Sequence, residues 1–86
     1  MGKYKKLLQR ILAGSSDRNI AFDDMRTLLM HLGFAERIRG SHHIYRRYDV
    51  TEKIVIQKDG DKAKAYQVKQ VRNILLQIQG RGDFDV

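Results

Sequence analysis

The amino-acid sequence predicts an α+β fold in which a three-stranded antiparallel sheet carries helices on one face, in the order α-α-β-β-β-α. Apolar residues recur at helical spacing near both ends of the chain, whereas residues 34–57 show the shorter period of β-strands. Short connections join these strands, and strands connected in this way usually pair with each other. With 86 residues, the chain has the size of a single domain, predicted here to span residues 1–86.

The first predicted helix covers residues 4–13 and belongs to a helical extension, residues 1–16. Gly14 and the two serines after it end this helix, as a C-terminal glycine commonly does. Its apolar residues fall on one helical face: Tyr4, Leu7, Leu8, Ile11 and Leu12. Residues 17–22 are predicted to form a short linker.

The second predicted helix begins at Asp23, a good N-cap because its carboxylate can accept a hydrogen bond from a free N–H of the first turn. Gly33 ends the helix. Four residues at helical spacing form its buried face: Met25, Leu28, Leu29 and Leu32.

Three strands are predicted at residues 34–39, 42–48 and 53–57. The first turn is Gly40-Ser41 and the second covers residues 49–52. Residues 58–65 are rich in lysine and interrupted by glycine, so a loop is predicted there. Without the first helix, the order α-β-β-β-α is that of double-stranded-RNA-binding domains, and the predicted fold is of this type.

The last predicted helix covers residues 66–79, and residues 80–86 are predicted to form a flexible tail because Gly80 and Gly82 end the helix. Five apolar residues line its buried face: Val68, Val71, Ile74, Leu75 and Ile78.

The charge of the chain favours a polyanionic partner. Seventeen Lys and Arg residues against ten Asp and Glu residues give a net charge of +7. The absence of cysteine excludes disulfides, thiol nucleophiles and zinc sites built on sulfur. No apolar run has the roughly 18–20 residues that a membrane span needs, and the N-terminus lacks the apolar segment of a signal peptide. The sequence therefore predicts a soluble cytoplasmic protein without membrane contact.

His42 and His43 are the candidate catalytic residues, whereas His31 is interpreted as a helix-end residue. Neighbouring strand residues point to opposite faces, so the pair is poorly placed to chelate one ion, and neither a metal nor another cofactor is predicted. An imidazole among arginines suits phosphodiester transfer on RNA: it can exchange a proton with a ribose 2′-hydroxyl or a leaving 5′-oxygen. The other interpretation is ring packing at the start of a strand.

Two segments resemble the HicA family of toxin–antitoxin ribonucleases. The first is Leu32-Gly33-Phe34 followed by Arg39-Gly40-Ser41-His42-His43-Ile44-Tyr45. The second, residues 62–72, is similar to the loop and helix of the longer HicA variants. The resemblance spans residues 22–78, which is most of the chain.

This resemblance implies a double-stranded-RNA-binding-like fold that cleaves mRNA and is neutralised by a HicB-type antitoxin. The family's catalytic histidine matches His42, and because some members carry it one position later, His43 is the reserve assignment. Residues 57–61 lack the Pro-His step found in shorter members. The histidine of that step, a candidate second general acid in those members, therefore has no counterpart here.

The predicted RNA-binding residues occupy two segments. Near the histidines, arginines can hold phosphate, a glycine permits close approach, and a serine can bind phosphate or orient His42; in the later segment, lysines precede a helix N-terminus. Ordinary turn geometry and a solvated basic surface are the alternative explanations. The candidates are Arg39, Gly40, Ser41, Arg46, Lys62, Lys64 and Lys69.

Two other functions fit the same composition. One is a non-catalytic module that binds double-stranded RNA by its shape and backbone. The other is an adaptor for an acidic protein. Exposing RNA to the pure protein separates them from a nuclease, because only a nuclease cuts the RNA.

Overall fold

The computed structural model describes residues 2–81 and has the α+β architecture predicted from the sequence. A 3₁₀ turn, Asp17–Asn19, lies between the first two helices. The three helices are α1 (Lys3–Ala13), α2 (Phe22–His31) and α3 (Ala65–Arg81). The strands are β1 (Ala35–Arg39), β2 (His42–Arg46), β3 (Ile54–Ile56), β4 (Lys58–Asp59) and β5 (Lys62–Ala63).

The main sheet is the predicted antiparallel meander, with strand order β1-β2-β3. Arg39 lies opposite His42 and Glu36 opposite Tyr45, while Tyr45 is also paired with Ile54 on β3. Gly40 has a φ of 59°, a left-handed conformation that costs a residue with a Cβ about 1–2 kcal/mol. The glycine therefore allows the short reversal between β1 and β2.

The prediction of a loop at residues 58–65 was wrong, since β4 and β5 form a small antiparallel hairpin there. Lys58 pairs with Ala63 and Asp59 with Lys62, and Gly60 lies in the turn with a φ of 65°. Only Ala63 is buried in this segment. The hairpin has no apolar alternation, and this is why the sequence pattern did not reveal it.

The prediction of Asp23 as the N-cap of the second helix was also wrong. The helix begins at Phe22, and its capping residue, Ala21, makes no side-chain hydrogen bond to it. The Phe22 N–H instead donates to the Asp61 carbonyl over 2.9 Å, so the neighbouring hairpin satisfies this helix end. Asp23 lies in the first turn with Asp24, where negative charge still interacts favourably with the helix dipole.

The ends of β2 and α3 each differ from the sequence prediction by two residues. Strand β2 ends at Arg46, and Tyr48 stands 97% exposed in the following turn, where Arg47 pairs with Asp49 over 2.9 Å. Helix α3 continues through Gly80 to Arg81. The rest of the tail predicted for residues 80–86 lies outside the described residues.

The buried apolar side chains form one cluster between the sheet and the helices. Alternation along the strands directs Tyr45, Ile54 and Ile56 into this cluster and leaves Ile44 and Val55 half-buried on the other face. The helices therefore cover one face of the sheet. The helical residues of the cluster were predicted from the apolar spacing, except Phe22, whereas the predicted Tyr4 and Leu12 are partly buried and pack against the cluster.

Helix α1 belongs to the same core rather than to a separate layer. Leu7, Leu8 and Ile11 are buried in the cluster. The Arg72 guanidinium on α3 lies 2.8 Å from Asp17 and also donates to the Ile11 carbonyl, which holds the end of α1 against α3. Within residues 2–81, no helix has both the length and the apolar character needed to cross a membrane.

Candidate functional site

Along one face of the main sheet, the ionisable side chains of the strands are three arginines and one histidine. Strand alternation and register place Arg37, Arg39, His42 and Arg46 on the face away from the helices, and all four are exposed. The one acidic residue in β1 to β3 is Glu36, which lies on the opposite face. We call Arg37, Arg39, His42 and Arg46 the outer cationic face. It can bind phosphate groups beside an accessible imidazole.

The turn that precedes His42 is linked to the start of α3 through two glutamines. Gln57 Nε2 donates to Ser41 Oγ over 3.4 Å. Gln67, a buried polar residue, accepts the Gln57 backbone N–H over 2.7 Å and donates to the Gln57 side chain over 3.2 Å. This network orients the Ser41 side chain toward β3 and α3.

His43 occupies a different environment from its neighbour because it points toward the helices. Its side chain is 15% exposed, and its ring meets the edge of Phe22 at a centroid distance of 4.8 Å. The Nδ1 atom is buried, makes no hydrogen bond and lies 3.6 Å from Glu36 Oε2. The two histidines therefore have separate surroundings: His42 lies among guanidiniums, and His43 faces a carboxylate.

Glu36 is the centre of a polar cluster formed by α2, β1 and β2. Its two carboxylate oxygens accept Arg26 Nε at 2.8 Å and Nη2 at 3.0 Å, and Oε2 also accepts the Tyr45 hydroxyl at 2.6 Å. The paired Arg26 guanidinium, together with these hydrogen bonds, lowers the pKa of Glu36 to about 2. Burial raises the pKa of the Tyr45 phenol, and the adjacent carboxylate raises it further. Glu36 is therefore an anion and Tyr45 a neutral donor across the ordinary pH range.

The predicted lysines lie in the hairpin and at the start of α3, not in the strands that form the outer cationic face. Lys62 on β5 is half-buried, and its backbone forms an antiparallel β-bridge with Ala21, just before α2. The Lys64 carbonyl accepts the N–H groups of Gln67 and Val68, so Lys64 stands at the first turn of α3. Lys69 is exposed farther along that helix. The structure therefore divides the predicted RNA-binding residues into two cationic regions.

Lys58 lies over the Phe22 ring, which also contacts His43, an arrangement that sequence reasoning did not identify. Its Nζ atom is 5.6 Å from the centre of the Phe22 ring, and the edge of the same ring contacts His43. Phe22 therefore has both an ammonium group and an imidazole as neighbours.

The Glu36 cluster was also missed, although the sequence holds a signal for it. Glu36 is the only acidic residue between Phe34 and Tyr48, a segment that contains four arginines. A lone carboxylate in a basic strand is a candidate for an internal ion pair. Its partner Arg26 is ten positions away on α2, and spacing alone does not identify such a pair.

The residues that the structure describes contain no group of three or more His, Asp or Glu side chains arranged to hold a metal ion. The chemistry available at this site is proton transfer by imidazole, with guanidinium and ammonium groups to bind an anion.

Comparison with protein families gave one finding. A family model described as the HicA toxin of bacterial toxin-antitoxin systems matches residues 22–79, about two thirds of the chain. The match begins at α2, includes the sheet, both histidines and the hairpin, and ends within α3. Searches among curated proteins and among solved structures returned no significant match.

Proposed function

The chain belongs to the HicA toxin family of bacterial toxin–antitoxin systems, and from this premise we propose that it is an endoribonuclease that cleaves mRNA with a single histidine and is neutralised by a HicB-type antitoxin. Membership makes the chain the toxin of such a system and implies an antitoxin partner. The substrate, the catalytic residue and the type of antitoxin are the proposed parts. Cytoplasmic action follows from mRNA as the substrate.

The observation that carries the proposal is the position of His42 on the outer cationic face. The imidazole is exposed, and Arg39 lies directly opposite it on β1. Arg37 and Arg46 are on the same face. A phosphodiester bound by these guanidiniums would lie next to an imidazole, a side chain that can exchange protons with oxygen atoms.

In the proposed reaction, the His42 imidazole accepts the proton of a ribose 2′-hydroxyl while the 2′-oxygen attacks the adjacent phosphorus. The P–O5′ bond breaks as the 2′-oxygen bonds to phosphorus, and the leaving 5′-oxygen takes a proton from solvent water. Arg39 and Arg46 stabilise the additional negative charge on the phosphorane-like transition state. Imidazole and solvent carry out the proton transfers, and guanidiniums stabilise the charge. The scheme therefore uses no metal ion.

His43 is the second candidate for the same role, favoured by the carboxylate 3.6 Å from its Nδ1 atom. A carboxylate in that position can orient an imidazole and stabilise its protonated form. His43 is less exposed than His42, and the Phe22 ring that it contacts also has the Lys58 ammonium within 5.6 Å of its centre.

The lysine region supports RNA binding in either case. Lys62, Lys64 and Lys69 lie at or near the N-terminus of α3, where side-chain charge adds to the helix dipole. No acidic residue occurs between Lys62 and Gly82. We propose that this region holds the RNA backbone while a histidine on β2 acts on the bound RNA.

The test is cleavage of labelled mRNA by the pure protein and by its His42→Ala, His43→Ala and His31→Ala variants, each with excess EDTA. His31 is the matched control because it is exposed at the end of α2, stacked on Tyr4 at 4.2 Å. We expect the native protein and His31→Ala to cut RNA in EDTA, and one of the other two variants to lose cleavage and growth inhibition.

Three results would contradict the proposal. Cleavage that requires an added divalent metal would exclude the proposed chemistry. Intact RNA after stoichiometric binding would identify a non-catalytic double-stranded-RNA-binding module instead. Failure to bind RNA at physiological salt, with tight binding to an acidic protein, would identify an adaptor.

A further inference from the structure

The polar cluster around Glu36 has one member whose bonding is incomplete. Arg26 and Tyr45 both donate to the carboxylate at hydrogen-bond distances of 2.6 to 3.0 Å. His43 Nδ1 is buried and faces Glu36 Oε2 at 3.6 Å without a hydrogen bond. A buried polar atom without a partner costs about 1–3 kcal/mol, so its retention here calls for an explanation.

The register of the sheet explains why these groups meet. Glu36 lies opposite Tyr45, and His43 is two residues before Tyr45 on the same face, so Glu36 and His43 are diagonal neighbours across the strand pair. Arg26 approaches from α2 and holds the carboxylate through two N–H groups. Arg26 and Tyr45 therefore hold the carboxylate in place independently of the imidazole.

The position of the imidazole assigns different tasks to its two nitrogens. Nδ1 faces an acceptor, which favours the tautomer that carries its proton on Nδ1. Nδ1 is also the buried nitrogen, so contact with a substrate falls to Nε2 on a side chain that keeps 15% exposure. In this tautomer, Nε2 is free to accept a proton.

We infer that Glu36 is a positioning residue for His43, setting the tautomer of the imidazole and stabilising the imidazolium formed during proton transfer. The inference deepens the proposed ribonuclease function and rests on its second assignment, in which His43 is the catalytic histidine. Glu36 touches neither substrate nor reacting atoms and acts only through the ring.

The other partners of Glu36 keep it suited to this task. Arg26 and Tyr45 stabilise its ionised form, so the proton taken up by the imidazole stays on the ring instead of passing to the carboxylate. Phe22 limits rotation of the ring through a T-shaped contact with a centroid distance of 4.8 Å. The imidazole therefore has an anion and an aromatic ring as neighbours.

The first measurement needs no substitution. Nitrogen NMR of the native protein, recorded at a pH where the imidazole is neutral, reports which ring nitrogen carries the proton. We expect the proton of His43 on Nδ1. A neutral His43 that carries its proton on Nε2 would overturn the inference.

The second measurement compares kcat and KM on labelled RNA for Glu36→Gln and Arg72→Gln. Both substitutions break a half-buried ion pair, but Arg72 pairs with Asp17 and not with the Glu36 cluster. We expect kcat to fall at least about tenfold in Glu36→Gln with little change in KM, and to be unchanged in folded Arg72→Gln. The pH profile of kcat should shift in Glu36→Gln alone.

The inference would be overturned if Glu36→Gln had the same kcat, the same pH profile of kcat and the same His43 tautomer as the native protein. If His43→Ala retains full cleavage while His42→Ala has none, the inference fails but the proposed ribonuclease function stands. If both variants cleave like the native protein, the single-histidine function itself fails.

Discussion

The Tyr45 hydroxyl donates to Glu36 Oε2 over 2.6 Å, and the two residues lie directly opposite each other on β2 and β1. Tyr45 is fully buried, so its ring is part of the apolar core while its hydroxyl reaches the carboxylate. The same carboxylate binds Arg26 on α2. This pair therefore joins the apolar core to the polar cluster beside His43.

Tyr45→Phe should destabilise the protein by about 1.5 to 3 kcal/mol, because it removes a hydrogen bond to a charged group and preserves the ring. The matched control is Tyr48→Phe, since Tyr48 is 97% exposed and its loss should change the free energy of unfolding by less than about 0.5 kcal/mol. Urea denaturation measures both. Equal stability of the two variants would show that the hydrogen bond contributes little.

Glu36 should make the stability of the protein depend on acid pH. Folding lowers its pKa from 4.5 to about 2, so its ionised form stabilises the native state above about pH 4.5, and this contribution is lost as the pH falls toward 2. Because solvent screens part of this ion pair, its contribution at neutral pH is about 1–3 kcal/mol. Glu36→Gln should therefore be less stable than the native protein at pH 7, and the difference should shrink below pH 4.5.

Urea denaturation at several pH values between 7 and 2.5 checks this expectation. Glu52→Gln is the control because Glu52 is exposed in the turn before β3. Native and Glu36→Gln curves that stay parallel through this range would contradict the assignment.

Helix α1 should be required for stability, although it precedes the residues matched by the family. Ile11 is fully buried in the shared core, so Ile11→Ala should cost about 2–5 kcal/mol. The neighbouring exposed position gives the control, and Gln9→Ala should change stability by less than about 0.5 kcal/mol. If Ile11→Ala were equally mild, α1 would be a dispensable appendage.

Charge reversal should distinguish the two cationic regions from the rest of the basic surface. Arg46→Glu on the outer cationic face and Lys64→Glu at the start of α3 should each lower the slope of log affinity for RNA against log salt by about 1. Both should also weaken binding of the antitoxin, if its surface is acidic and covers the same regions. The control is Lys5→Glu, which makes the same charge change at an exposed position of α1.

The measurement is RNA and antitoxin binding at several salt concentrations. A variant that binds both partners as tightly as the Lys5→Glu control does not contribute to the shared surface.

Local pattern was sufficient to predict much of the fold. The helical spacing of Leu28 and Leu29 and the turn at Gly40 are short-range features, set by backbone geometry and by apolar residues on one face. The β4–β5 hairpin escaped this reasoning because its pairing depends on Gly60 and on the bridge from Lys62 to Ala21.

The sequence by itself determined that His42 and His43 point to opposite faces, because side chains alternate along any strand. Only the tertiary structure decided which of them faces the helices. Packing of Tyr45 and Ile56 in the core fixed the orientation of β2, so His43 turned inward to Glu36 and His42 outward to Arg39. Which face of β2 is buried depends on the apolar residues of the whole chain that pack against it. The residues next to the histidines do not determine it.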